Sequence, residues 1–88
     1  MITYLINIFL IIEPMAKREE EKYIINLGYN IAQVRKQKKM TQKKLAEIID
    51  VEPPNMRRIE AGKTNPTIKT LLKIAWALGV DVKMLVDF

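Results

Sequence analysis

The chain has 88 residues, 49% hydrophobic and 28% charged, which describes one small folded domain and excludes wholesale disorder. It contains no cysteine, no histidine and no serine, so disulfide staples, the usual zinc-ligand sets and Ser, Cys or His nucleophiles are excluded. Net charge is +5, but residues 35–73 hold eleven basic against four acidic residues, a net of +7 that points either to a polyanionic partner, most simply nucleic acid, or to a solvated lysine-rich face.

Residues 1–12 read MITYLINIFLII, with only Thr3 and Asn7 polar. Glu13-Pro14 is expected to stop this segment, and a charged run follows from Lys17 to Lys22. Twelve residues cannot span a bilayer as a helix, which needs roughly 20. A secretory signal is also not expected: there is no basic n-region, and Glu-Pro stands where small cleavage-site residues belong. Three readings stand open. The segment is an apolar arm that pairs with a partner subunit, or it packs back on its own domain, or the natural start is Met15, with MAKREEEK as a polar beginning. The last is preferred. Residues 1–22 are therefore an N-terminal extension, set apart from a domain over residues 23–88. A cytoplasmic location with no membrane span is expected.

Residues 23–88 read as five helices. In the first, Leu27, Ile31 and Val34 fall on one face of a helix running to about Lys38. Each later start places an apolar residue before the cap and another at the fourth helical position, the spacing of a hydrophobic staple. Met40-Thr41 with Leu45 opens the second helix and Val51-Glu52 with Met56 the third. Pro66-Thr67 with Leu71 opens the fourth, and Val80-Asp81 with Leu85 the fifth. Thr and Asp are good N-caps, whereas Glu52 is a poor one. Gly62 and Gly79 supply left-handed C-caps, and Pro66 makes GKTNP a loop. The fourth helix is expected to bury Ile68, Leu71, Leu72, Ala75 and Leu78. Trp76 lies off that face as a half-buried surface residue; the sharper reading is a subunit contact or a seat for the apolar arm.

The second and third helices, Gln42 to Ile49 and Pro53 to Glu60, are separated by the three-residue turn Asp50-Val51-Glu52, which is helix-turn-helix spacing. Ala46 faces the turn, Val51 plugs the space between the helices, and Met56 and Ile59 anchor the second of them. The match extends from about Asn30 to Phe88 through ordered markers: Arg35, Thr41-Gln42, Leu45-Ala46, Ile59-Glu60, Gly62, Asn65-Pro66-Thr67 and Leu78-Gly79-Val80. On these residues the chain resembles the Cro and phage-repressor (XRE-type) helix-turn-helix family.

That resemblance implies an all-α, five-helix, lambda-repressor-like DNA-binding domain. Its third helix enters the major groove of double-stranded DNA, usually as a homodimer on an inverted repeat. Carried over by position, Gln42 grips a phosphate at the start of its helix, Lys63, Thr64 and Asn65 match phosphate-contact positions, and Lys43 and Lys69 add electrostatic contacts. Asn55, Arg57 and Arg58 lie on or near the outer face of the recognition helix, where Asn pairs with adenine and Arg with guanine. Arg35 and Glu60 match an internal salt bridge and are structural. Three departures stand out. Pro53 and Pro54 replace base-reading residues and can read only a thymine methyl or shape; Asp50 stands where glycine is favoured; and Glu52 brings negative charge close to DNA.

The function this implies is a sequence-selective transcriptional regulator, non-enzymatic and with no metal or cofactor. The small-regulator format is similar to phage-type repressors, restriction–modification controllers and antitoxins. The rival reading is a protein-interaction module of the same fold, binding a toxin or a polymerase-associated factor. The surface expected to form the dimer lies around Val82, Met84, Val86 and Phe88.

Overall fold

The computed structural model describes residues 2–88. Its helices run in the order α1 Ile2–Gln37, α2 Gln42–Ile48, α3 Pro53–Glu60, α4 Ile68–Leu78 and α5 Val82–Val86. The fold is all-α among the described residues, and α2–α5 fall within a residue of where capping and periodicity put them.

Each of the first four helices ends in the same way. A residue in the left-handed region follows the helix: Lys39 (φ 56°), Asp50 (φ 56°), Gly62 (φ 70°) and Gly79 (φ 68°). The next residue then donates its N–H back to a carbonyl five positions earlier: Met40 to Arg35, Val51 to Ala46, Lys63 to Arg58 and Val80 to Ala75, at 2.9–3.2 Å. These are Schellman closures, which satisfy carbonyls a helix end would otherwise orphan. Met40, Val51 and Val80 pack against the buried core, so one residue closes a helix and pins the start of the next.

The helix starts divide as expected. Thr41 Oγ1 accepts from Lys44 N at 3.0 Å, Thr67 Oγ1 from Thr70 N at 3.1 Å, and Asp81 Oδ1 from Lys83 N at 2.9 Å. Glu52 makes no side-chain cap bond. Pro53 and Pro54 compensate in part, because the first N–H groups of a helix have no intrahelical partner to lose.

The core joins all five helices through Leu27, Ile31, Val34, Leu45, Ala46, Ile49, Met56, Ile59, Leu71, Ile74, Ala75, Leu78 and Leu85. Two expectations for α4 fail. Ile74 is fully buried, whereas Ile68 and Leu72 are 70% and 51% exposed. Trp76 is 80% exposed rather than half-buried. Positions 68, 72 and 76 form a second apolar stripe beside the buried one, and α4 turns the other stripe inward.

Pro14 does not end the first helix. Helix α1 runs from Ile2 through Pro14 without a break, so the apolar segment continues the helix that packs into the domain. Proline removes one N–H, the partner of the Leu10 carbonyl, and residues on both sides carry the helix past that loss. The molecule is elongated as a result, 55 × 23 × 18 Å with a radius of gyration of 16.3 Å, against about 12 Å for a compact chain of this length. Asn30 fixes the far end of the domain, donating from Nδ2 to the carbonyls of Met84 and Leu85 at 2.8 and 2.7 Å.

Helices α1 and α3 cross at Gly28. A Cβ there would land on the Ile59 carbonyl and lie 2.9 Å from that of Glu60, so the two backbones touch. Substituting Gly28→Ala is expected to destabilise the fold by about 1–3 kcal/mol through overpacking, although Ala is the better helix former by about 1 kcal/mol. Urea denaturation would check it, and a stabilised Gly28→Ala protein would show that the crossing is loose.

Candidate nucleic-acid interface

The α2–α3 unit is built from the inside outward. Ala46 is fully buried, and its lack of bulk lets the helices approach; Val51 sits half-buried in the turn between them. Met56 and Ile59, three apart, turn one side of α3 into the core. The remaining circumference carries Asn55, Arg57 and Arg58, all exposed. Pro53 and Pro54 form its exposed first turn, next to exposed Glu52.

The C-terminal end of α3 is locked to α1. Arg35 donates from Nε to Glu60 Oε2 at 2.7 Å and from Nη2 to Glu60 Oε1 at 2.9 Å, a bidentate pair with side chains only 10% and 6% exposed. Its Nη1 donates to the Met40 carbonyl at 2.8 Å, which ties the same guanidinium to the α1–α2 turn. The Arg35–Glu60 pair implied by the resemblance is therefore present as a structural bond.

Glu60 has a second partner. Gln42 Nε2 donates to Glu60 Oε1 at 2.9 Å, so one carboxylate bonds α1, the first residue of α2 and the last residue of α3 together. The phosphate contact expected of Gln42 rests on its backbone N–H, and that group is left free for it: the half-buried side chain is directed at Glu60, while the N–H stands in the first turn of α2, where such groups lack intrahelical partners. No sequence pattern announced this bond; only the three-dimensional meeting of α2 and α3 reveals it.

The loop after α3 completes the surface. Asn55 and Arg58 of α3, Thr64 and Asn65 of the loop, and Thr67 and Thr70 around the start of α4 line one cleft of about 310 Å³. Lys63, Thr64 and Asn65 are exposed, and the loop is held against α1 by a close approach: a Cβ on Gly62 would lie 2.6 Å from Ile25 Cα. The structure thus brings Asn55, Arg58, Thr64 and Asn65 together and adds Thr70, which the sequence reading missed. Arg57 lies outside that cleft's lining, and Lys43 and Lys69 are exposed in the first turns of α2 and α4. Lys39, in its left-handed turn, is a further exposed cation beside Lys38.

The C-terminal residues expected to form a dimer surface divide. Val82 is half-buried against the core, and Met84, Val86 and Phe88 are exposed. Phe88 packs its ring 5.8 Å from that of Tyr23 of its own chain, and with Val86 and Leu27 it lines a shallow apolar groove. Tyr23 is one wall of that groove.

Comparison with known proteins agrees with this architecture. Multiprotein-bridging factor 1 of Candida glabrata is 41% identical over 63 residues, covering 72% of this chain and 42% of that protein. The immunity repressor protein of Bacillus phage phi105 is 36% identical over 62 residues, covering 70% and 43%. The chain thus spans less than half the length of these relatives. Among solved structures, the clp gene regulator ClgR of C. glutamicum superposes with a TM-score of 0.71 at 26% identity, over 73% of this chain and 82% of that one. The helix-turn-helix family model HTH_3 matches residues 31–85, from the last two turns of α1 into α5. With its α2–α3 unit, its four helix-closing turns and all of its core except Leu27 inside that match, the chain belongs to the HTH_3 helix-turn-helix family.

Proposed function

We propose that this chain is a sequence-selective DNA-binding transcriptional regulator that acts as a homodimer on an inverted repeat and inserts α3 into the major groove. The observation that carries the reading is the division of α3: Met56, Ile59 and Glu60 hold the helix rigidly, while Asn55, Arg57 and Arg58 stand exposed on it. Asn and Arg have the donor geometry to pair with adenine and guanine edges. The loop residues Lys63, Thr64 and Asn65, with Lys43 and Lys69, then meet phosphates and set the register. Pro53 and Pro54 give no hydrogen bonds, so direct reading falls on three side chains and sequence preference is modest. The mechanism is steric: an occupied promoter blocks or recruits polymerase.

Selection of duplex DNA from a random pool by the purified protein, at near-physiological salt, tests this reading. Enrichment of an inverted repeat is the expected result, and its half-site spacing gives the separation of the two α3 helices. DNA retained without an enriched motif would reject sequence reading. Affinity is also expected to fall linearly in log–log terms with salt, with a slope of about 0.9 per neutralised phosphate. A flat salt response would mean that the basic region does not meet the DNA backbone.

A second reading has one specific observation in its favour. The stripe Ile68, Leu72 and Trp76 on α4 is exposed, and several relatives carry the name multiprotein-bridging factor. Under that reading the same fold presents α4 to a protein partner, a toxin or a polymerase-associated factor, and α3 contributes little.

A further inference from the structure

We propose that the N-terminal stretch of α1 is a self-association arm, which pairs with the same arm of a second copy of this chain along the seam Ile2, Leu5, Phe9, Ile12 and Ala16. Between Ile2 and Ile12, eight large apolar side chains are more than half exposed, from Ile6 at 53% to Ile2 at 75%. Among the described residues, these side chains are covered by no other part of the chain.

Its pattern selects the seam. Consecutive residues on a helix are about 100° apart, so the run Phe9, Leu10, Ile11 and Ile12 puts apolar groups around the whole circumference. Helices of that kind are buried on more than one side. The two polar residues, Thr3 and Asn7, are four apart and share one side. Opposite them run Ile2, Leu5, Phe9, Ile12 and Ala16, at spacings of three, four, three and four, which is the repeat that meshes two helices as a coiled coil. Pro14 adds to the need for a partner, because it deprives the exposed arm of a backbone hydrogen bond at its C-terminal end.

A second copy suits the arm better than a lipid bilayer does. Eleven helical residues reach about 16 Å, roughly half of a hydrocarbon core. Residues 13–22 carry four acidic and three basic side chains, so they lack the cationic excess that draws a helix to anionic headgroups. The eight exposed apolar side chains of the arm present on the order of 800 Å² in all, what one partner contributes to a standard protein interface, and the seam residues supply roughly half of it, with their flanking neighbours Ile6 and Ile8 closing over its sides. Every copy carries the arm, so pairing closes with two-fold symmetry.

Sedimentation velocity on the full chain, at tens of micromolar and without DNA, tests the proposal. The expected result is a mass at least twice that of a Leu5→Glu/Phe9→Glu variant, while Asn7→Glu, on the opposite side, keeps the assembly. Equal masses for the full chain and the double variant would overturn it, and so would loss of assembly in Asn7→Glu. Because the chain has no cysteine, Phe9→Cys gives an independent readout that needs no disruptive change. Position 9 is the midpoint of the seam, so it meets its own copy whether the arms run parallel or antiparallel. Mild oxidation is expected to give covalent dimers, and their absence overturns the pairing. Flotation of the wild-type chain with phosphatidylcholine vesicles, as a monomer, would assign the arm to lipid instead. None of these readouts involves DNA, so failure of the DNA-binding reading leaves them intact.

Discussion

Substituting Glu60→Ala is expected to lower the unfolding free energy by about 3–5 kcal/mol, the usual loss when one partner of a buried ion pair is removed. The Arg35 guanidinium would keep its place between α1 and the α1–α2 turn, 10% exposed, with no countercharge. Gln42 would lose its acceptor at the same time. Changing both partners to apolar residues, Arg35→Met with Glu60→Leu, is expected to recover most of the loss, because it leaves no stranded charge. Urea denaturation of the two single variants and the double variant, read as a cycle, checks this. Single variants that each cost under about 1 kcal/mol would mean that the pair behaves like an exposed one.

Changing Arg57→Ala together with Arg58→Ala is expected to reduce DNA affinity by roughly thirtyfold or more, at about 1–3 kcal/mol of discrimination for each lost arginine–guanine pair. Both side chains are exposed, so stability should move by no more than about 0.5 kcal/mol each. Fluorescence anisotropy with the selected operator gives the first quantity and thermal unfolding the second. Unchanged DNA affinity would remove α3 from the interface and favour the protein-binding role of α4. A variant that loses DNA but still captures a protein partner would show that two surfaces do two jobs.

Most of the fold was legible because its signals are local. Thr41, Thr67 and Asp81 announce helix starts through hydrogen bonds that reach only two or three residues. Gly62 and Gly79 announce ends through backbone geometry that favours them. The end of α1 was also placed within a residue, but its left-handed turn at Lys39 was not, because lysine is not selected for that conformation. Two readings failed where the deciding contact is distant. Ile68-Leu72-Trp76 and Leu71-Ala75-Leu78 are both helical stripes, and only packing against α2 and α5 determines which one is buried. Pro14 was read as a stop because the sequence shows the lost hydrogen bond and not the helix formers that carry α1 past it.

The candidate site divides along the same line. Exposure of Asn55, Arg57 and Arg58 followed from the positions of Met56 and Ile59, which is periodicity on a single helix. The inward turn of Gln42 toward Glu60 and the inclusion of Thr70 in the α3 cleft follow from how separate elements meet.

The proline pair at the head of α3 has a consequence for how this chain can change over time. In most helices a first-turn residue is constrained, because losing a cap or a packing contact there weakens the fold. Here Glu52 caps nothing, Pro53 and Pro54 are exposed, and the helix is held from its far end by Ile59 and by Glu60. The exposed residues at the head of α3 are therefore not the ones that anchor the helix in the fold. Descendants of such a chain can acquire new binding preferences at positions 52–54 by single steps, each passing through a folded intermediate, and selection for recognition need not wait on selection for stability.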